Sequence, residues 1–92
     1  MNNFIMLLGK VSSIDVELNT FTIVVSRVHK DENVTDVFVC KPWKGMYSYI
    51  SSYINLDDFI LVKGKLLIEE GKYIVKVEDY SLIQRLNKKI SA

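Results

Sequence analysis

FIMLLGKVSSIDVEL, residues 4–18, is the stretch of this 92-residue chain that says most about its fold. It is an apolar run that is interrupted once, by Gly9. A glycine inside a strand often marks a bulge or a sharp bend. The stretch therefore predicts a long first strand that changes direction near its middle.

The rest of the chain alternates short apolar runs with polar turn signals, which is the pattern of an all-β domain. Further strands are predicted at residues 21–28 (FTIVVSRV), 37–43 (VFVCKPW), 59–68 (FILVKGKLLI) and 73–83 (YIVKVEDYSLI). The segment HKDENVTD, residues 29–36, is predicted to be a polar loop, and Gly71 lies in a tight turn. Between the third and fourth strands, GMYSYISSYIN (residues 45–55) has apolar residues at helical spacing and predicts one helix over residues 46–54.

Three strands, a helix and a two-stranded hairpin form the element order of the OB-fold, a five-stranded Greek-key barrel. The bend at Gly9 suits this fold, because the first strand of such a barrel must serve both sheets. An SH3-like barrel also has five strands, but it lacks a three-turn helix at this point. We therefore predict an all-β OB-fold domain over residues 1–83 and a short basic tail over residues 84–92.

Composition limits the possible functions. Twelve Lys and Arg against eleven Asp and Glu leave a net charge of +1, without the basic excess typical of nucleic-acid binders. Any binding face must therefore come from local clustering of charge. Cys40 is the one cysteine, so an internal disulfide is excluded and a reducing compartment fits. The apolar runs are too short for a signal peptide or a membrane span, which predicts a cytoplasmic protein without a membrane partner.

Catalytic chemistry has little support in the sequence. One histidine and one cysteine, without metal-ligand spacing, cannot supply a catalytic triad or a zinc site. The chain has no glycine-rich phosphate-binding loop. We expect a protein that is not an enzyme and that needs no cofactor or metal.

Four segments resemble the bacterial single-stranded DNA-binding protein (SSB) family. NNFIMLLGKV (residues 2–11) is similar to the family's opening N-x-V-I-L-V-G-x-L, and FTIVVSR (21–27) to its F-T-L-A-V-N-R. FVCKPWK (38–44) is similar to F-x-x-C-V-V-W-R, and YINLDDFILVKGKL (53–66) to Y-L-x-K-G-S-x-V-x-V-E-G-R-L. Because the four segments keep the family's order and spacing, the resemblance extends over residues 2–83.

The chain also departs from the family pattern. The connections between strands two and three and between strands four and five are short, whereas the family's longer arms carry DNA-contacting aromatic and basic residues. Val37 and Val39 stand where the family often has an aromatic and a polar or basic residue, and Asp57 replaces a glycine. The sequence ends at Ala92 without a glycine-rich linker and acidic tip. The resemblance thus implies a DNA-binding core without the recruiting tail, similar in this respect to the primosome accessory proteins.

Trp43 is the leading candidate for a contact with bases. Binding a single strand without reading its sequence needs aromatic faces for bases and cations for phosphates. Lys41 has the same parity as Trp43 in the third strand and Lys44 follows it, which favours a solvated, DNA-contacting position. Packing of Trp43 against the helix, as part of the core, is the open alternative.

Further candidate contacts are basic or aromatic. Arg27 ends the second strand, and it is either a contact or a solvated strand end. Lys10, Lys63 and Lys65 could form a basic stripe with Arg27 or simply a hydrophilic outer face. Tyr47 lies off the apolar face of the predicted helix and is a candidate for an exposed position near the site.

The first strand also predicts self-association. Ile5 and Leu7 share one parity and Met6 and Leu8 the other, so both faces of the strand favour burial. One face can line the barrel, whereas the other would remain an exposed apolar strip unless a second chain covers it. The resemblance implies pairing through this strand, and we expect Met6, Leu8 and Phe38 to form the interface of a homo-oligomer, a dimer or a tetramer.

These observations favour binding of single-stranded DNA without strong sequence preference, in replication, recombination or DNA transfer, with other replication proteins as further candidate partners. Two alternatives remain open. One is an OB-fold protein-interaction module that does not bind nucleic acid, which the short arms and the balanced charge favour. The other is a primosome-type adaptor that binds both DNA and a helicase.

Overall fold

The computed structural model describes residues 3–43 and 52–85 of the chain. Within them lie five strands: β1 (Ile5–Asp15), β2 (Thr20–His29), β3 (Glu32–Pro42), β4 (Phe59–Glu69) and β5 (Lys72–Gln84). The helix predicted over residues 46–54 lies for the most part outside the described residues, as do Lys44 and Tyr47. Within the described ranges, no helix is long and apolar enough to cross a membrane.

The five strands close into a barrel in the order β1-β2-β3-β5-β4. The long first strand pairs with β2 through its second half and with β4 through its first half, both antiparallel. The barrel closes where β3 and β5 pair in parallel over residues 39–42 and 74–77. This is the topology of the OB-fold, so the predicted fold class is confirmed.

Alternation along the strands supplies the core. Side chains that are at most 1% exposed fill the barrel: Val11, Phe21, Ile23, Cys40, Ile54, Ile60, Val62, Val75 and Val77. Ile5 and Leu7 of β1 pack against this core. Met6 and Leu8 alternate with them and point outward, with 53% and 45% of their surface exposed. The double-sided apolar pattern of β1 thus divides into an inner row and an exposed outer row.

The polar segment over residues 29–36, predicted to be a loop, is a β-hairpin. β2 ends at His29, β3 begins at Glu32, and only Lys30 and Asp31 lie between them. Both turn residues have positive φ, 52° and 66°, as a type I′ turn requires at its two central positions. The prediction was wrong because polar residues continue the ladder, in which Arg27 pairs with Val34 and Val25 with Asp36.

The turn between β4 and β5 is as short as predicted. Glu70 and Gly71 form it, with φ values of 52° and 78°. Further along this hairpin the register shifts between Lys63 and Gly64, which marks a bulge. Gly64 is buried there, and a Cβ atom on it would lie 1.9 Å from the carbonyl oxygen of Lys76. Because β5 passes this close to β4, only glycine fits at position 64.

A buried carboxylate fixes the segment that leads into β4. Asp58 is 1% exposed, and it accepts hydrogen bonds from the backbone N–H of Asn55 (2.8 Å) and from Nε and Nη2 of Arg85 (3.0 and 2.9 Å). The Arg85 guanidinium holds the pKa of Asp58 below its ordinary value. Arg85 Nη2 also donates to the carbonyl oxygen of Tyr53 at 3.2 Å. Asp57, at the family's glycine position, has a φ of 71°, a left-handed conformation that aspartate tolerates.

The end of β5 lies at the predicted boundary between the OB-fold domain and the C-terminal tail. Gln84 is the last residue of β5, and Arg85 folds back onto Asp58. Residues 86–92 lie outside the described part of the chain. The division into residues 1–83 and 84–92 therefore stays a prediction.

Candidate nucleic-acid interface

Trp43 lies at the surface, directly after β3. The side chain of Cys40 points into the core, so Lys41 and Trp43, which have the opposite parity, point outward. Trp43 is 47% exposed, and its backbone N–H donates to the carbonyl oxygen of Val77 at 2.8 Å. This hydrogen bond ties the end of β3 to β5 and presents the indole on the outer face of the barrel. Trp43 is therefore not part of the barrel core.

Lys76 completes the surroundings of the indole. Its Nζ atom lies 4.6 Å from the centroid of the Trp43 ring, within the range of a cation–π interaction. Lys76 was not among the predicted site residues, although alternation with the core residues Val75 and Val77 marks it as outward-facing. What the sequence does not reveal is the partner, because the parallel pairing of β3 with β5 joins segments far apart in the chain.

Three of the predicted cations are paired with carboxylates. Nζ of Lys41 lies 3.2 Å from Oε1 of Glu69, and Nζ of Lys65 lies 3.7 Å from Oε2 of Glu78. All four side chains are between about two-fifths and half exposed, so these pairs contribute little to stability, on the order of 0–1 kcal/mol each.

Arg27 forms the third pair. Its Nε donates to Oδ2 of Asp36 at 2.7 Å across the β2–β3 hairpin. Asp36 raises the pKa of Arg27, chiefly through this hydrogen bond. The guanidinium is therefore already engaged within the hairpin, although half of its side-chain surface remains exposed.

The predicted basic stripe is not continuous. Lys10 pairs with Val24 on one side and Phe59 on the other, whereas Lys63 lies between Met6 and Asp79. Arg27 lies farther along the β2–β3 hairpin, opposite Val34. None of these three cations is a cross-strand neighbour of another, whereas Lys65 is the register partner of Lys76, whose ammonium lies over the Trp43 ring.

The outer row of β1, with the residue before it, is an exposed apolar strip. We call it the β1 strip: Phe4, Met6 and Leu8, which are 63%, 53% and 45% exposed. Leu61 of β4 lies opposite Leu8 and continues the strip across the sheet. Phe38 does not join it, contrary to the prediction. Phe38 pairs with Ile23 on the inward side of the sheet and packs against the core.

A groove extends from Lys41 toward the ends of two hairpins. Its volume is about 530 Å³, and its lining is Leu18, Thr20, Val39, Lys41, Glu69, Glu70, Lys72 and Ile74. It therefore lies between the turn that joins β1 to β2 and the turn that joins β4 to β5. In OB-folds these two turns and the face of strands 2 and 3 form the surface that binds oligonucleotides and oligosaccharides.

Cys40 has the environment of a core side chain. Burial raises the pKa of its thiol to about 12, so the thiolate is nearly absent at neutral pH. In residues 3–43 and 52–85, no group of three or more His, Cys, Asp or Glu side chains could hold a metal ion.

Comparison with known proteins gives structural matches only. No protein-family model and no curated protein matches the chain. A small single-stranded DNA-binding protein from Streptomyces coelicolor matches with a TM-score of 0.69 at 16% identity, covering 89% of this chain and 94% of the other. The second single-stranded DNA-binding protein (SSBb) of Mycobacterium smegmatis gives 0.58 at 14% identity, with 96% and 100% covered.

The N-terminal domain of PriB from Thermoanaerobacter tencongensis, described as dimeric, also matches. Its TM-score is 0.55 at 17% identity, and the match covers 92% of this chain and all of the other. Identities this low concern the fold alone. The three matches agree with the barrel topology, and from them we conclude that this chain shares the OB-fold of these three proteins.

Proposed function

We propose that this protein binds single-stranded DNA without strong sequence preference, through the outer surface around Trp43. The observation that carries the proposal is a half-exposed indole on an OB-fold barrel, with the ammonium groups of Lys41 and Lys76 on the same face. An indole stacks on any base, at about 1–3 kcal/mol per base, and the lysines supply charge for phosphates. Structural neighbours that are single-stranded DNA-binding proteins support the proposal.

The process that uses this binding is proposed on the same basis. Protection or presentation of single strands in replication, recombination or DNA transfer, within the cytoplasm, suits a compact OB-fold. Such a role needs binding and not catalysis, so we propose that the protein is not an enzyme.

We also propose that a second copy of the chain covers the β1 strip. Met6 and Leu8 are exposed, and Leu61 extends their apolar surface onto β4. Exposed apolar strips of this kind mark interaction surfaces, and the PriB neighbour is described as dimeric. A symmetric dimer, with the first strands meeting across a two-fold axis, would bury the strip in both subunits.

A protein-interaction module, or an adaptor that binds both DNA and a helicase, is the second candidate. The ion pairs Arg27–Asp36, Lys41–Glu69 and Lys65–Glu78 favour it, because they occupy cations that phosphates would otherwise contact. Of the two candidates, DNA binding has the stronger support. The paired lysines remain about half exposed, and the carboxylate partners can be exchanged for phosphate at little cost.

Titration of the protein with labelled oligo-dT tests the proposal. We expect tighter binding of the single strand than of a duplex of equal length at low salt, with quenching of Trp43 fluorescence. Since no second tryptophan is present, the quenching would report stacking at this position. Equal affinity for single strand and duplex would refute the proposal.

Substitutions at Trp43 provide the matched control. Trp43→Phe keeps an aromatic face, whereas Trp43→Ala removes it and should cost about 1–3 kcal/mol of binding free energy, roughly 5- to 150-fold in affinity. The label on the oligonucleotide serves as the probe in both variants. If Trp43→Ala binds as tightly as the unaltered protein, the bases contact another surface.

A further inference from the structure

Three lysines lie side by side on the outer face of the barrel. Lys41 of β3 is the register partner of Lys76 of β5, and Lys76 is also the partner of Lys65 of β4. Neighbouring strands are about 4.8 Å apart, so the three side chains form a line across the strands. We call this line the lysine row; it was not visible in the sequence, where its members are far apart.

The lysine row is unfavourable for stability by itself, because like charges directly opposite each other on a sheet repel. Each lysine has a separate partner that reduces this cost. Lys41 contacts Glu69, Lys65 contacts Glu78, and Lys76 lies over the Trp43 ring. All three partners are at the surface, so an incoming polyanion can replace them.

The surfaces on the two sides of the lysine row differ from it in chemistry. On one side lies an apolar row across the same three strands, formed by Val39, Ile74 and Leu67, which are register partners. On the other side lies Trp43, which follows β3. A groove of about 160 Å³ runs beside the row, and its lining is Lys41, Pro42, Leu67, Glu69, Ile74 and Lys76. A line of cations between apolar and aromatic surfaces matches a strand whose bases project from a charged backbone.

We propose that the phosphodiester backbone of bound single-stranded DNA crosses β3, β5 and β4 along the lysine row. One base stacks on Trp43, and neighbouring bases contact the apolar row. When the base stacks, Lys76 leaves the indole face and its ammonium contacts a phosphate. This inference rests on the proposed function. It adds Lys76 to the site and specifies that the bound DNA strand runs across β3, β5 and β4.

Salt dependence of oligo-dT binding tests the path. Lys76→Gln and Lys65→Gln each remove one charge from the row, whereas Lys30→Gln removes a charge from the β2–β3 turn. For a single strand, the slope of log K against log salt is about 0.7 per neutralised phosphate. Each row variant should therefore lower the slope by about 0.7, so that between 0.1 M and 1 M salt its affinity falls about fivefold less than that of the unaltered protein. Lys30→Gln should leave the slope unchanged.

Two further variants test the path by gain of affinity. Glu69→Gln and Glu78→Gln release Lys41 and Lys65 from their carboxylate partners. Both should bind oligo-dT severalfold more tightly than the unaltered protein. Such a gain is informative even if a lysine variant is poorly folded.

The outcomes separate the path from the function. If the unaltered protein prefers single strands, but Lys10→Gln lowers the slope while Lys76→Gln and Lys65→Gln do not, the backbone follows β1 and the lysine row is refuted. Unchanged affinity in both glutamate variants would refute the row as well. If the unaltered protein shows no preference for single strands, the proposed function itself fails.

Discussion

Replacement of Gly64 by alanine should destabilise the barrel strongly. The new Cβ would lie 1.9 Å from the carbonyl oxygen of Lys76 and 2.9 Å from its carbonyl carbon. A carbon atom normally comes no closer to a carbonyl oxygen than about 3.3 Å, so β4 and β5 would have to separate by more than about 1 Å. The obstacle is backbone and cannot rotate away, unlike a side chain.

The expected loss follows from the cost of overpacking. Overpacked cores lose about 1–3 kcal/mol, and a clash with backbone belongs at the upper end, so we expect a loss of about 3 kcal/mol. For a domain of this size, 1 kcal/mol shifts Tm by about 4–8 °C, which predicts a decrease of at least about 12 °C. Without the clash, alanine would stabilise a strand position by about 0.5–1 kcal/mol. The sign of the change in unfolding free energy of Gly64→Ala therefore shows whether the clash with Lys76 is present.

Urea unfolding at a fixed protein concentration, followed by Trp43 fluorescence, measures the effect. Gly71→Ala is the matched control: no atom lies within 4 Å of its Cβ position, but its φ is 78°. That conformation should cost alanine only about 1 kcal/mol. A Gly64→Ala variant as stable as the unaltered protein, or more stable, would show that the approach of β5 to β4 is not as close as described.

Three further predictions concern other parts of the molecule. Cys40 should react with thiol reagents only as the barrel opens, since burial raises its pKa to about 12; rapid labelling of the native protein at pH 8 would contradict this. A carboxyl group with a lowered pKa stabilises the fold above its ordinary pKa, and this contribution is lost as pH falls through the lowered value. Asp58→Asn should therefore reduce stability at neutral pH and flatten the loss of stability below about pH 4 in urea titrations, whereas an unchanged acid profile would contradict the Arg85 pairing. Light scattering should give the unaltered protein a mass well above 10.6 kDa and Met6→Asp a lower one; a monomeric unaltered protein would refute the interface.

The sequence was sufficient for the strands whose apolar residues alternate. The inward and outward rows of β1 and the outward position of Trp43 follow from local parity, and the structure confirms both. The β2–β3 hairpin was missed because its turn residues, Lys30 and Asp31, lack the Asn-Gly type of signal yet both take positive φ. Residues 29–36 contain few apolar residues, so their composition resembles that of a loop although they form part of the hairpin.

The misplaced and missing site residues have different causes. Phe38 has the parity opposite to Trp43, so the alternation that turns Trp43 outward turns Phe38 inward, and its pairing with the core residue Ile23 agrees with this. Lys76 was missed because its neighbours Lys41 and Lys65 come from strands that only the closed barrel brings together.

The closure between β3 and β5 has a consequence for the motions of the barrel. Among the described residues it is the shortest strand pairing, over residues 39–42 and 74–77, extended by the hydrogen bond from Trp43 to Val77. A short pairing is the place where a sheet opens first, and amide hydrogen exchange detects such openings. A strand of DNA along the lysine row would lie across this closure and hold its two sides together. Binding should therefore slow amide hydrogen exchange at Lys41 and Lys76 more than in the β2–β3 hairpin. The bound DNA would then stabilise the closed state of the barrel at the β3–β5 pairing.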